Sequence, residues 1–398
     1  MGEGGGPAGP SGREEVRRLL LLLLAGCAAG SPPRATGLDA AQEALQNGDL
    51  AQAEALLAGA ADAESALLKA RILLLRNRVR EAVDLLRPHA PLQRPEVKSY
   101  EHFQLQNRLY SEFALACVRA DDAAGAARAY AVLGEHVMAK KYAAVGRQVP
   151  YLTPAGWDEA RADLLATEPL PLVQIEVNDK AGLFIVDTGQ GELFLDRDFA
   201  REAGVNAVGI QAGGFAKSFD DGGFAERVKL GRLTVRNVPV QLGRLSPVGG
   251  VKAEGAIGLL FLLHFDFTID YRRTRLVLRP AGQAPPAQGL AALVASDRHL
   301  LLPATLNGST PTWAAVSSAV SGVTLSASPA LAHAGLGEVR DLAVGPLRIV
   351  PKGAPDARSF PQGLESVAGL PVPFVLGNSA LQGRSFRLEP RSMRALIE

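Results

Sequence analysis

Two copies of one β pattern lie in the C-terminal half of this 398-residue chain, and that duplication constrains its fold more than any other feature. In the first copy, residues 172–177 alternate as a half-buried strand does, and Asn178-Asp179 follows as a turn. An apolar strand at residues 183–186 then runs into Asp187-Thr188-Gly189, and a second apolar strand, 193–195, leaves it. A strand pair over 228–240, an Ile257-Gly258 element and a hairpin at 267–278 complete the unit. In the second copy, residues 300–308 stand for the first strand and turn. Trp313 to Ala319 stand for Leu183 to Gly189, with Ser317 at the position of Asp187, 130 residues on. Gly345 answers Gly231 after 114 residues, and Gly377 answers Gly258 after 119, as Phe386 answers Phe267. A tandem repeat of one sheet unit implies two similar lobes.

The fall from 130 to 114 means that the second copy lacks about sixteen residues that the first has between these landmarks. The extra stretch falls within residues 205–229 and includes Gly213, Gly214, Phe215, Phe219 and the pair Asp220-Asp221. Its glycines and Asp-Gly suit a mobile hairpin. The Asp187-Thr188-Gly189 loop with apolar flanks, the Ile257-Gly258 pair and the closing hairpin resemble the retropepsin-like aspartic peptidases over about residues 171–280. Gln190 departs from that family, which has a small residue there. The resemblance implies that Asp187, Thr188 and Gly189 form a catalytic loop. It also implies a substrate-binding flap at Gly213, Gly214, Phe215 and Phe219. A second lobe joined through residues 281–298 resembles the bilobal pepsin arrangement, with a cleft between the lobes and a flap on the first lobe only.

Peptide hydrolysis in that family uses two carboxylates sharing one proton, one acting as base on water and the other as donor to the carbonyl oxygen. The second copy offers Ser317, Ser318 and Ala319, a hydroxyl where the second acid belongs. Three outcomes stay open. Two chains could pair their first lobes into an Asp187/Asp187 dyad as a homodimer. Another acid such as Asp220 or Asp221 could serve. Or the cleft could hold an extended peptide or protein partner without cutting it, through strand-addition contacts. A serine nucleophile at Ser317 or Ser318 is disfavoured, since neither a G-x-S-x-G elbow nor a paired histidine accompanies it.

Ahead of the β units, residues 38–166 are rich in Ala and Leu at helical spacing and partly repeat. The run Asn47-Gly48-Asp49-Leu50 recurs as Arg76-Asn77-Arg78-Val79, 29 residues later, and more weakly as Ala120-Asp121-Asp122-Ala123. Helical hairpins of this kind resemble divergent tetratricopeptide repeats, which implies a protein-binding surface; a plain helical bundle is the alternative. Cys117, in an apolar run, reads as a buried packing residue. A short helix is expected from Trp157 to Leu165, after Pro150 and Pro154 break the pattern.

At the N-terminus, Arg17-Arg18, then Leu19 to Leu24, then Ala25-Gly26-Cys27 have the order of an export signal, too short to span a bilayer. The ending resembles the lipobox of bacterial lipoproteins. That implies lipidation at Cys27, a membrane-surface anchor, and a mature chain on the periplasmic or cell-surface side; an ordinary signal peptide is the alternative. The Gly-rich start with Glu14-Glu15 suits no signal, and translation from Val16 would remove it.

Lys+Arg 42 against Asp+Glu 41 leaves a net charge of +1, which argues against a nucleic-acid partner held by overall field. Two cysteines and six scattered histidines supply no disulfide framework and no metal motif. No dinucleotide or P-loop signature is present, so no cofactor is expected. The expected architecture is multidomain α + β: signal 1–27, linker 28–37, helical repeats 38–166, first lobe 170–280, linker 281–298 and degenerate second lobe 299–398.

Overall fold

In this computed structural model the structure describes residues 37–91, 93, 96, 98–146, 148–205, 207–208, 221–247, 250–283, 288–321, 325–328, 339–350, 360–361, 364, 369–370 and 372–398. Cys27 and the flap residues Gly213, Gly214, Phe215 and Phe219 lie outside these, as do Asp220 and the side chain of Asp221.

N-terminal helices precede a β-rich domain. The helices are α1 (Gly37–Gln46), α2 (Leu50–Leu56), α3 (Ala63–Leu75), α4 (Val79–Leu86), α5 (Tyr100–Arg119), α6 (Ala123–Leu133) and α7 (His136–Val145). They form hairpins α1–α2, α3–α4 and α5–α6. Each hairpin turns through one left-handed residue at the equivalent place in the sequence repeat: Gly48, Asn77 and Asp121. Asp49 and Asp122 then cap α2 and α6 by accepting from the N–H groups of Gln52 and Gly125. Cys117 is fully buried, as expected, in the core of α3–α7.

The strands are β1 (Ala160–Ala166), β2 (Leu172–Val177), β3 (Lys180–Val186), β4 (Leu193–Asp196), β5 (Ala207–Val208), β6 (Asp221–Leu230), β7 (Leu233–Gly243), β8 (Gly255–Ile257), β9 (Phe265–Asp270) and β10 (Arg275–Pro280). They continue as β11 (Leu290–Ala291), β12 (Leu293–Ala295), β13 (His299–Leu306), β14 (Thr310–Val316), β15 (Leu325–Ala327), β16 (Leu342–Val344), β17 (Leu347–Ile349), β18 (Phe374–Leu376), β19 (Ser385–Glu389) and β20 (Arg394–Ile397).

The duplication is visible in the registers. β3 pairs parallel with β8, Val186 opposite Ile257; β14 pairs parallel with β18, Val316 opposite Leu376. The lobes join where β9 and β19 pair antiparallel, with Thr268 opposite Arg387, its own counterpart 119 residues on. A local two-fold relation between the lobes therefore passes through that pair. The second copy carries one more turn residue: Asn178-Asp179 joins β2 to β3, whereas Asn307-Gly308-Ser309 joins β13 to β14.

Two expectations are corrected. The residues expected as a short helix at 157–165 contribute strand β1, because that segment finds partners on both edges, β10 on one and β2 on the other. Backbone pairing with burial of Ala160 and Leu164 overrides its helical composition. The last of the N-terminal helices thus ends at Val145, short of the expected span to 166. The expected linker 281–298 also holds β11, paired with β20, and β12, paired with β13.

Candidate active site

The loop after β3 and the loop after β14 meet at the boundary between the lobes. Each is hung from its own lobe in the same way: the Asp187 N–H donates to Ile257 O and the Ser317 N–H to Leu376 O, both at 3.0 Å. Ser317 is therefore the structural counterpart of Asp187. Thr188 and Ser318 tie the loops together. The Thr188 N–H donates to Ser318 Oγ at 3.0 Å and the Ser318 N–H to Thr188 Oγ1 at 3.1 Å. Thr188 Oγ1 also donates to Val316 O, and Ser318 Oγ to Val186 O. Both side chains are fully buried, so this bonded knot holds the two loops in a fixed mutual position.

Beside the knot, Gly189 leaves room for the side chains of Asp187 and Ser317. A Cβ there would stand 2.7 Å from Ser317 Oγ and 3.2 Å from Asp187 Oδ1, so carboxylate and hydroxyl flank one small gap. Asp187 Oδ1 accepts from the Gly189 N–H at 2.7 Å. Although Asp187 keeps partial exposure, loss of surrounding water raises its carboxyl to about 6, against which the Gly189 and Gln190 N–H groups work. No acidic neighbour among the described residues contributes to that shift. Gln190 turns its amide away, donating to Gln241 Oε1 on β7 at 2.9 Å. The Ile257-Gly258 element lies beneath: a Cβ on Gly258 would strike the carbonyl oxygens of Gly191 and Glu192.

Sequence reasoning did not find two further charged residues. Glu192, five positions past Asp187, is buried and ion-paired with Lys141 of α7, and it accepts from Tyr142 Oη at 2.6 Å. No local pattern marks either partner, since they come together only when the helices dock. Among the described residues, no group of three or more His, Cys, Asp or Glu side chains is placed to hold a metal ion.

A two-lobed β domain with this loop, its Ile-Gly support and its inter-lobe knot defines an aspartic-protease-like fold. Residues 173–261 match the family model described as Aspartyl protease. Among solved structures, the chain is similar to a retropepsin-like aspartic protease from Rickettsia conorii, at 21% identity over 33% of this chain and 95% of that one, with a TM-score of 0.23. No curated protein matches. The family match falls within the first lobe, while the helices and the second lobe lie outside the matched residues.

Proposed function

We propose that this is an aspartic-protease-like binding protein that holds extended polypeptide in its inter-lobe cleft without hydrolysing it. One observation carries the reading: the site has Asp187 on one side and Ser317 on the other. A serine hydroxyl does not ionise near neutral pH, so among the described residues the paired acid and base that peptide hydrolysis needs are not assembled. An Asp187/Asp187 homodimer would require two first lobes to meet where Thr188 already bonds Ser318 of its own chain, which opposes that route. The helical hairpins supply a second surface for a protein partner. The export signal ending at Cys27 supports a lipid-anchored, exported protein.

The test incubates the full chain and its Asp187→Asn variant with a peptide library between pH 3.5 and 7. Binding without cleavage by either protein supports the reading. Cleavage that Asp187→Asn abolishes and that rises steeply with protein concentration supports the dimeric enzyme and refutes it.

A further inference from the structure

The helices do not merely precede the β domain; they lie on the working side of it. Along β3, Phe184 and Val186 enter the main core while Ile185 faces a separate cluster, so Asp187 projects on the side of Ile185. Along β14, Ala314 and Val316 enter the main core and Ala315 faces the other side, which is also the side of Ser317. In the second lobe that side is covered: Ala315 and Leu301 share a core with Leu45, Leu50 and Ile72 of α1–α3.

The first lobe is covered differently. Helix α7 rests on β5 and β6, the strands flanking the expected flap. The stem of Lys141 lies on Gly222, where a Cβ would stand 2.5 Å from its Cδ and 3.0 Å from its Cβ and Cγ. Its ammonium group reaches Glu192, and Lys141 is only 2% exposed. Tyr142, stacked on Tyr130 at 5.8 Å, completes the contact with Glu192. On the far side of the same loop, Gly191 abuts Asp297 of the second lobe. Helix α7 therefore packs on the first lobe beside the segment that follows the Asp187 loop, where that segment meets the second lobe. Attachment at α1–α3 is apolar and extensive. Attachment at α7 combines packing of Phe224 of β6 against the helical core with a buried ion pair, whose Coulombic gain is largely offset by desolvation.

We propose that the helical segment is a built-in occupant of the cleft, fixed through α1–α3 and releasable at α7, where parting Lys141 from Glu192 admits an extended polypeptide to Asp187. This rests on the cleft being a polypeptide site, yet its test is independent of binding or cleavage. Native-state hydrogen exchange on the full chain should show α7, residues 190–196 and residues 222–226 opening together, at least tenfold faster than α3 and β9. Lys141→Met should speed those segments a further tenfold or more and leave α3 and β9 unchanged. The variant should also label faster at Asp187 with a carbodiimide and glycinamide, read by peptide mapping. Exchange of α7 only in concert with β9 in the wild type overturns the proposal, whatever the variant does. So does a variant that leaves every segment unchanged or accelerates all equally. Cleavage by the wild type would refute the non-hydrolytic reading and leave the exchange result standing.

Discussion

Thr188 and Ser318, 130 residues apart, exchange backbone-to-hydroxyl hydrogen bonds in both directions. Because the two residues occupy equivalent places in the two copies, the lobes of one chain satisfy each other. Thr188→Val removes both a buried acceptor and a buried donor, and should lower stability by ~1–3 kcal/mol in urea denaturation. Ser318→Ala should cost a similar amount. The double variant should lose less than the sum, by roughly 0.5–3 kcal/mol, since either change lets the two loops part and so weakens the bond that the other hydroxyl accepts. Additive losses would contradict the knot.

Asp187 makes stability depend on pH with an unusual sign for an aspartate. Burial raises its carboxyl from 3.8 to about 6, so the folded state holds this proton more tightly than the unfolded chain. The resulting stabilisation is complete below about pH 4 and is lost as pH rises through about 6. Asp187→Asn keeps an acceptor for the Gly189 N–H and removes the charge. The variant should be more stable than wild type at pH 7 by roughly 1–3 kcal/mol, with the difference shrinking as pH falls to 4. Wild type and variant tracking each other from pH 4 to 7 would contradict the burial argument.

Much of this was legible from residues. The spacing of Asp187 to Ser317 and of Gly258 to Gly377 fixed which strands answer which, and the registers of β3 with β8 and of β14 with β18 agree with it. Left-handed turns at Gly48, Asn77 and Asp121 likewise fall where the helical repeat places them. What failed was non-local. The strand at Ala160–Ala166 has helix-forming residues and becomes a strand only because β10 and β2 flank it. The Lys141–Glu192 pair joins segments 51 residues apart and leaves no periodic trace.

Arg119 is the main polar tie between the helices and the second lobe. It is buried, and its guanidinium donates to Val294 O, Ser296 O, Leu74 O and Asn77 Oδ1. Arg119→Leu removes four hydrogen bonds, those to Val294 O and Leu74 O fully buried, and should cost ~2–4 kcal/mol. Amide exchange should rise at β12 and α3 together; a change confined to α5 would show that the tie is not shared.

Gly258 supports the Asp187 loop by its lack of a side chain. Gly258→Ala drives a methyl group into the Gly191 and Glu192 carbonyls and should destabilise by ~1–3 kcal/mol. The carboxyl titration of Asp187 should shift with it, because the loop must move; an unchanged titration would show that the support does not reach the acid.

The most direct measurement is a site-resolved ¹³C carboxyl titration of Asp187 in the wild-type chain and in Ser317→Asp. A lone acid facing a hydroxyl should titrate in one step near pH 6 in the wild type. Ser317→Asp should split it into two coupled steps, as two carboxylates in one gap do. Two coupled steps in the wild type would mean that a second carboxylate already sits beside Asp187, and would contradict the non-hydrolytic reading of the cleft.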